Sequence, residues 1–85
     1  MASVQIRPSI LAELADFMAS GPSPEQIIEF KPSAEMIERA RELLLKQNEG
    51  LVTKEEQCEL REFEHFEVFM RLLKTRLRAR KAKKR

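Results

Sequence analysis

Thr53-Lys54-Glu55-Glu56-Gln57-Cys58-Glu59-Leu60-Arg61-Glu62-Phe63-Glu64-His65-Phe66-Glu67-Val68-Phe69-Met70-Arg71-Leu72-Leu73-Lys74-Thr75-Arg76-Leu77 reads as one long helix. Thr53 with Glu56 forms a capping box that starts it. Neither Gly nor Pro interrupts it, and the basic residues beyond carry it to about residue 80. Phe63, Phe66, Met70, Leu73 and Leu77 fall on heptad positions a and d. Val68, Phe69 and Leu72 add apolar surface beside that seam, so the helix is apolar over more than one narrow stripe.

Working backwards, Asn48-Glu49-Gly50 is a helix stop, with Gly50 suited to a left-handed backbone. A helix capped by Ser33 precedes it, and Met36, Ile37, Ala40, Leu43, Leu44 and Gln47 define its expected inner face. At 1.5 Å per residue that helix spans about 22 Å, and the last helix about 40 Å. The shorter one covers only half of the seam, so the remainder needs the first helix or a second protomer. Lys31-Pro32 closes a short element that starts at Ser23-Pro24-Glu25-Gln26, another capping box with Pro at the first helical position. Ile27, Ile28 and Phe30 are its expected buried residues. Ser9 caps the first helix, whose Ile10, Leu11, Leu14, Phe17 and Met18 share one face before Ser20-Gly21-Pro22 ends it.

The expected architecture is all-α: an αα-hairpin with a long basic C-terminal helix plus a short N-terminal helical segment, dimeric or docked on a partner. The 85 residues read as one domain, with an arm at 1–8, a helical segment at 9–30, the hairpin at 33–80 and a basic tail at 81–85. A chain this short buries only about 60–65% of its unfolded surface, which favours stabilisation by a partner or by a second copy. One cysteine, Cys58, allows no intramolecular disulfide. With no apolar leader, it points to a reducing, cytoplasmic setting. No apolar run approaches the roughly 18–20 residues of a membrane span.

Charge is divided along the chain. Residues 1–70 hold 7 Lys+Arg against 14 Asp+Glu, and residues 71–85 hold 9 Lys+Arg and no acid. The tail cations are Arg71, Lys74, Arg76, Arg78, Arg80, Lys81, Lys83, Lys84 and Arg85. Such a run suits salt-sensitive nucleic-acid binding with little sequence reading. It equally suits an acidic protein partner, or a solvated helix end that favours cations.

Chemistry-bearing residues are few. Cys58 and His65 lie about two turns apart, too far for a Cys–His pair. They read instead as a small packed residue and a surface-boundary histidine. Glu62 and His65 make a Glu-x-x-His spacing that, with Glu35, Glu38 or Glu42 from the facing helix of a dimeric bundle, would suit a di-metal oxidase centre. The competing reading is a solvated acidic face. With Gly21 and Gly50 the only glycines, no phosphate-cradling loop is available. No catalytic residue and no cofactor is therefore assigned, and the expectation is a non-enzymatic protein. Its expected partner-binding face is the apolar surface of the last helix, through Phe66, Phe69, Met70, Leu73 and Leu77, in helix-in-groove fashion. The alternative is a nucleic-acid-binding protein that uses the tail.

Two resemblances bear on function. Ser3-Val4-Gln5-Ile6-Arg7 followed by a helix is similar to a ribbon-helix-helix DNA binder, in which Ser3, Gln5 and Arg7 would face the major groove. Pro8, and the break at Lys31-Pro32, depart from that pattern. The stretch from Ser20 to about Arg78 resembles a group of small bacterial helical proteins. It does so through Ser20-Gly21-Pro22-Ser23-Pro24-Glu25, Pro32-Ser33-Ala34-Glu35, Gly50-Leu51-Val52-Thr53-Lys54-Glu55-Glu56-Gln57-Cys58-Glu59-Leu60, and Glu64-His65 followed by Arg71-Leu72-Leu73-Lys74. That group has Pro where this chain has Lys54. Its members look like the antitoxin partner in toxin–antitoxin-type gene pairs, beside a candidate nuclease. The resemblance implies an antitoxin-like or accessory protein whose partner is a protein, with a toxin or nuclease as the candidate. It carries over no catalytic residue.

Overall fold

The computed structural model describes residues 9–83. They form α1 (Ile10–Ala19), α2 (Pro24–Ile28), α3 (Ala34–Asn48) and α4 (Lys54–Lys83), and the described residues contain no strand. The fold is all-α. Residues 1–8, on which the arm and the ribbon-helix-helix reading rest, lie outside the described residues. So do Lys84 and Arg85.

Each boundary has a local cause. Ser9 accepts from the Ala12 amide, and Ser23 and Gln26 exchange the two bonds of a capping box. Ser33 accepts from the Met36 amide. Thr53 Oγ1 accepts from the Glu56 amide at 3.1 Å, while the Thr53 amide donates to Glu56 Oε1 at 3.0 Å. Each cap satisfies amides that the first turn leaves without helical partners. α3 ends where Gly50 takes φ +70°. There the Leu51 amide donates to Lys46 O at 2.9 Å and the Gly50 amide to Gln47 O at 3.0 Å, which is a Schellman closure. At the end of α1 Gly21 also has positive φ, but Pro22 follows and has no amide for the outer of those two bonds.

α4, 30 residues and about 45 Å long, is the spine on which α1, α2 and α3 each pack. The molecule is flat, 51 × 38 × 19 Å. Ile10 and Leu14 of α1, Ile27 of α2, Met36 of α3, and Phe66 and Met70 of α4 form the main core. Phe17, Phe30, Phe63, Leu73 and Leu77 pack against it. Phe30 stacks on Phe17 with ring centroids 4.4 Å apart and meets Phe66 edge-on at 6.0 Å, arrangements that suit the ring quadrupoles. Leu43 and Leu60 are buried near the hairpin.

The half of the seam that α3 cannot reach is thus covered by α1 and α2 of the same chain. Polar ties hold them. Glu13 of α1 accepts the Ser33 amide at 2.7 Å and the Ser33 hydroxyl at 2.9 Å, which joins α1 to the start of α3. Lys74 Nζ donates to Phe30 O at 3.0 Å and closes the end of α2 onto α4.

Several expected faces are rotated. In α1 Leu11 and Met18 are exposed, leaving Ile10, Leu14 and Phe17 as the packed stripe. In α3 Ile37, Leu44 and Gln47 face outward. The inward residues are Met36, Leu43 and the stems of Arg39 and Lys46, turned in by carboxylates on α4. Cys58 is exposed rather than packed.

Candidate protein-binding surface

α3 and α4 are joined by an ion-pair ladder. Arg39 donates to both oxygens of Glu59, from Nε and from Nη2, each at 2.9 Å. Glu59 is only 3% exposed, and a carboxylate there requires such a fork-to-fork partner. Arg39 also reaches Glu42 at 2.8 Å. Glu59 first, and then Glu42, hold the Arg39 guanidinium well above its ordinary range. Nearer the turn between the two helices, Lys46 Nζ lies 2.6 Å from Glu56 Oε2. That bond, followed by the Thr53 amide, lowers the Glu56 carboxyl below its ordinary value. With Arg39 and Lys46 committed to these pairs, α3 carries its remaining apolar residues on another side.

That side is a groove. Pro32, Ile37, Ala40 and Leu44 form one wall, Leu60 and Phe63 the other, and it encloses about 320 Å³. Met36 and Phe66 line its floor, and Glu64 and Glu67 line its α4 edge. Ile37 and Leu44 are about half exposed, so the groove presents apolar surface to solvent.

α4 carries a second accessible apolar patch. Val68, Phe69 and Leu72 are each about half exposed. Of the five side chains expected to bind a partner, this patch retains Phe69 alone. Phe66 and Met70 are buried in the core, and Leu73 and Leu77 are half-buried against it. Most of the heptad seam is thus used within the chain, with Phe63 and Phe66 also lining the groove. The groove-wall residue Ile37 was legible only as a core position, because periodicity marks an apolar face without naming what covers it.

The tail cations divide too. Lys74 is tied to Phe30 O, and Lys81 lies 3.7 Å from Glu25. Arg71, Arg76, Arg78, Arg80 and Lys83 are exposed.

The di-metal arrangement does not assemble among the described residues, where no three His, Cys, Asp or Glu side chains come together to hold an ion. Glu38 pairs with Arg41 and Glu42 with Arg39, both on their own helix. Glu35 and His65 are exposed, and Glu62 is half-buried with Oε1 buried and unbonded.

No family model, curated protein or solved structure matches the chain. No helix among the described residues is long and apolar enough to cross a membrane.

Proposed function

We propose that this chain is a non-enzymatic protein-binding module, an antitoxin-like or accessory subunit that docks a partner protein in the α3/α4 groove. The observation that carries this reading is the groove itself. Ile37 and Leu44 stay half exposed above a floor of core side chains, with no described segment of the chain covering them. Glu64 and Glu67 on its edge select a partner segment that is apolar on one side and basic beside it. An amphipathic helix with Lys or Arg flanks fits that description. The toxin or nuclease partner implied by the resemblance is the candidate source of the segment.

The test is co-expression with the product of the neighbouring reading frame. The wild-type chain is expected to co-elute with it stoichiometrically. Ile37→Glu/Leu44→Glu is expected to abolish co-elution while helicity is kept, because both positions are already solvated. Co-elution that survives the double substitution would remove the groove from the account.

The second reading, nucleic-acid binding, is favoured by the absence of any acid among residues 71–83. If the five exposed cations there other than Lys81 each meet a phosphate, log K falls with log salt at a slope of about −4 to −5. Removal of residues 78–85 should then abolish binding to a random duplex. Fluorescence anisotropy checks both, and binding indifferent to salt would rule this reading out.

A further inference from the structure

Within α4 the segment 71–83 carries seven cations and no acid. Their placement around the helix is uneven. Counting about 100° per residue, Leu73 and Leu77 mark the side packed on the core, with Lys74 and Lys81 beside them. Those two cations are turned back, to Phe30 O and to Glu25. On the same count Leu72, Thr75, Ala79 and Ala82 form a strip on the opposite side, exposed and uncharged. Arg71 and Arg78 make a row along one edge of this strip, and Arg76 and Lys83 a row along the other, about 140° apart around the axis. Arg80 lies farther round, toward the packed side. All five are exposed, and none pairs with an acid among the described residues. A helix end charged only to stay in water would carry its cations on the side most open to water. Here that side is neutral, and the charge stands on its two edges.

We propose that this face of α4 lies in the major groove of B-form DNA, with the neutral strip toward the base edges and the two cation rows on phosphates of opposite strands. This docking rests on the nucleic-acid reading of the basic end, and adds which nucleic acid is taken and by which face. A helix about 10–12 Å across with its side chains matches a groove about 12 Å wide. Thr75, Ala79 and Ala82 are small and let the backbone approach, while Arg or Lys on either edge reaches out to a groove wall. From Arg71 to Lys83 the helix is about 18 Å long, which at about 3.4 Å per step covers about five base pairs. Glu64 lies two turns before Arg71 on the same side and limits the contact to 71–83. Other covers fit this face less well. The segment 71–83 has no aromatic residue on which single-stranded bases could stack. An acidic protein would find Leu72 as the one large apolar anchor on the strip. The major groove of A-form RNA is too narrow to be entered. Thr75 alone on the strip can hydrogen-bond a base edge, so sequence preference is expected to be slight.

The experiment is fluorescence anisotropy of the full chain with a short labelled DNA duplex over a salt series. The wild type is expected to show the slope of about −4 to −5 given by five phosphate contacts. Arg71→Gln/Arg78→Gln and Arg76→Gln/Lys83→Gln should each flatten it by about 1.8. Thr75→Phe/Ala79→Phe keeps every charge but fills the strip, so the helix can no longer seat both rows. Its slope should drop to about −2 to −3, that of one row, with an unchanged circular dichroism spectrum. An RNA duplex of the same sequence should give that lower slope with the wild type. A slope that neither or only one of the two row variants changes overturns the groove docking while nucleic-acid binding stands. A slope that Thr75→Phe/Ala79→Phe leaves at the wild-type value, or an RNA duplex as steep as DNA, does the same. So does polyglutamate that displaces the duplex at equal charge, which would assign the face to an acidic protein. No salt-dependent binding to DNA or RNA of any form removes both the docking and the nucleic-acid reading.

Discussion

Phe66→Ala is expected to leave the chain largely unfolded at room temperature. Phe66 is buried where α1, α2, α3 and α4 meet, and it takes the edge of Phe30. Truncating a buried Phe costs about 3–5 kcal/mol through lost transfer energy and an unfilled cavity. At roughly 0.05–0.15 kcal/mol per residue, a chain of this length has stability of the same order to lose. Urea melts followed by circular dichroism provide the measurement. Leu45→Ala is the control, because Leu45 is exposed and should change stability by no more than about 0.5 kcal/mol. A Phe66→Ala melt that matched the control would mean that the four helices do not share one core.

The second large effect concerns the α3–α4 ion pair. Arg39→Ala removes both guanidinium bonds from Glu59, which lies in the hairpin with 3% of its surface exposed. Breaking a buried pair from one side costs about 3–5 kcal/mol. The low end applies here, because the Arg39 side chain is itself 31% exposed. Replacing both partners by apolar residues of similar volume should recover most of the loss, since desolvation of two charges offsets much of their attraction. Arg39→Met/Glu59→Leu is therefore expected within about 1 kcal/mol of wild type, with Arg39→Ala well below it. A double variant as unstable as the single one would show that Glu59 is held mainly by groups other than Arg39.

The sequence carried the elements more clearly than their partners. Ser9, Ser23, Ser33 and Thr53 cap the helices that their spacing predicts, because a cap is a local bond within four residues. Gly21 and Gly50 mark helix ends for the same local reason. Phe66, Met70, Leu73 and Leu77 were legible as an apolar seam, but a seam does not say what covers it. The cover is α1 and α2, brought back by the Gly21-Pro22 and Pro32 turns and tied by Glu13 to Ser33 and Lys74 to Phe30. These are bonds across 20 and 44 residues, beyond any periodicity argument. The same limit explains α3. By hydropathy Ile37 and Leu44 belong inside, and only the positions of Glu56 and Glu59 on α4 turn Arg39 and Lys46 inward instead. The groove is the consequence of that rotation. Val68, Phe69 and Leu72 were visible as apolar surface beside the seam, yet their exposure depends on which side of α4 the other helices occupy.

Amide hydrogen exchange on the chain, alone and in complex with the neighbouring gene's product, reports whether the α3/α4 groove is where the partner docks. The partner is expected to slow exchange in α3 around residues 36–44 and in α4 around residues 60–67. The basic end of α4 should be unchanged. Protection confined to residues 71–83, with the groove exchanging as in the free chain, would contradict it.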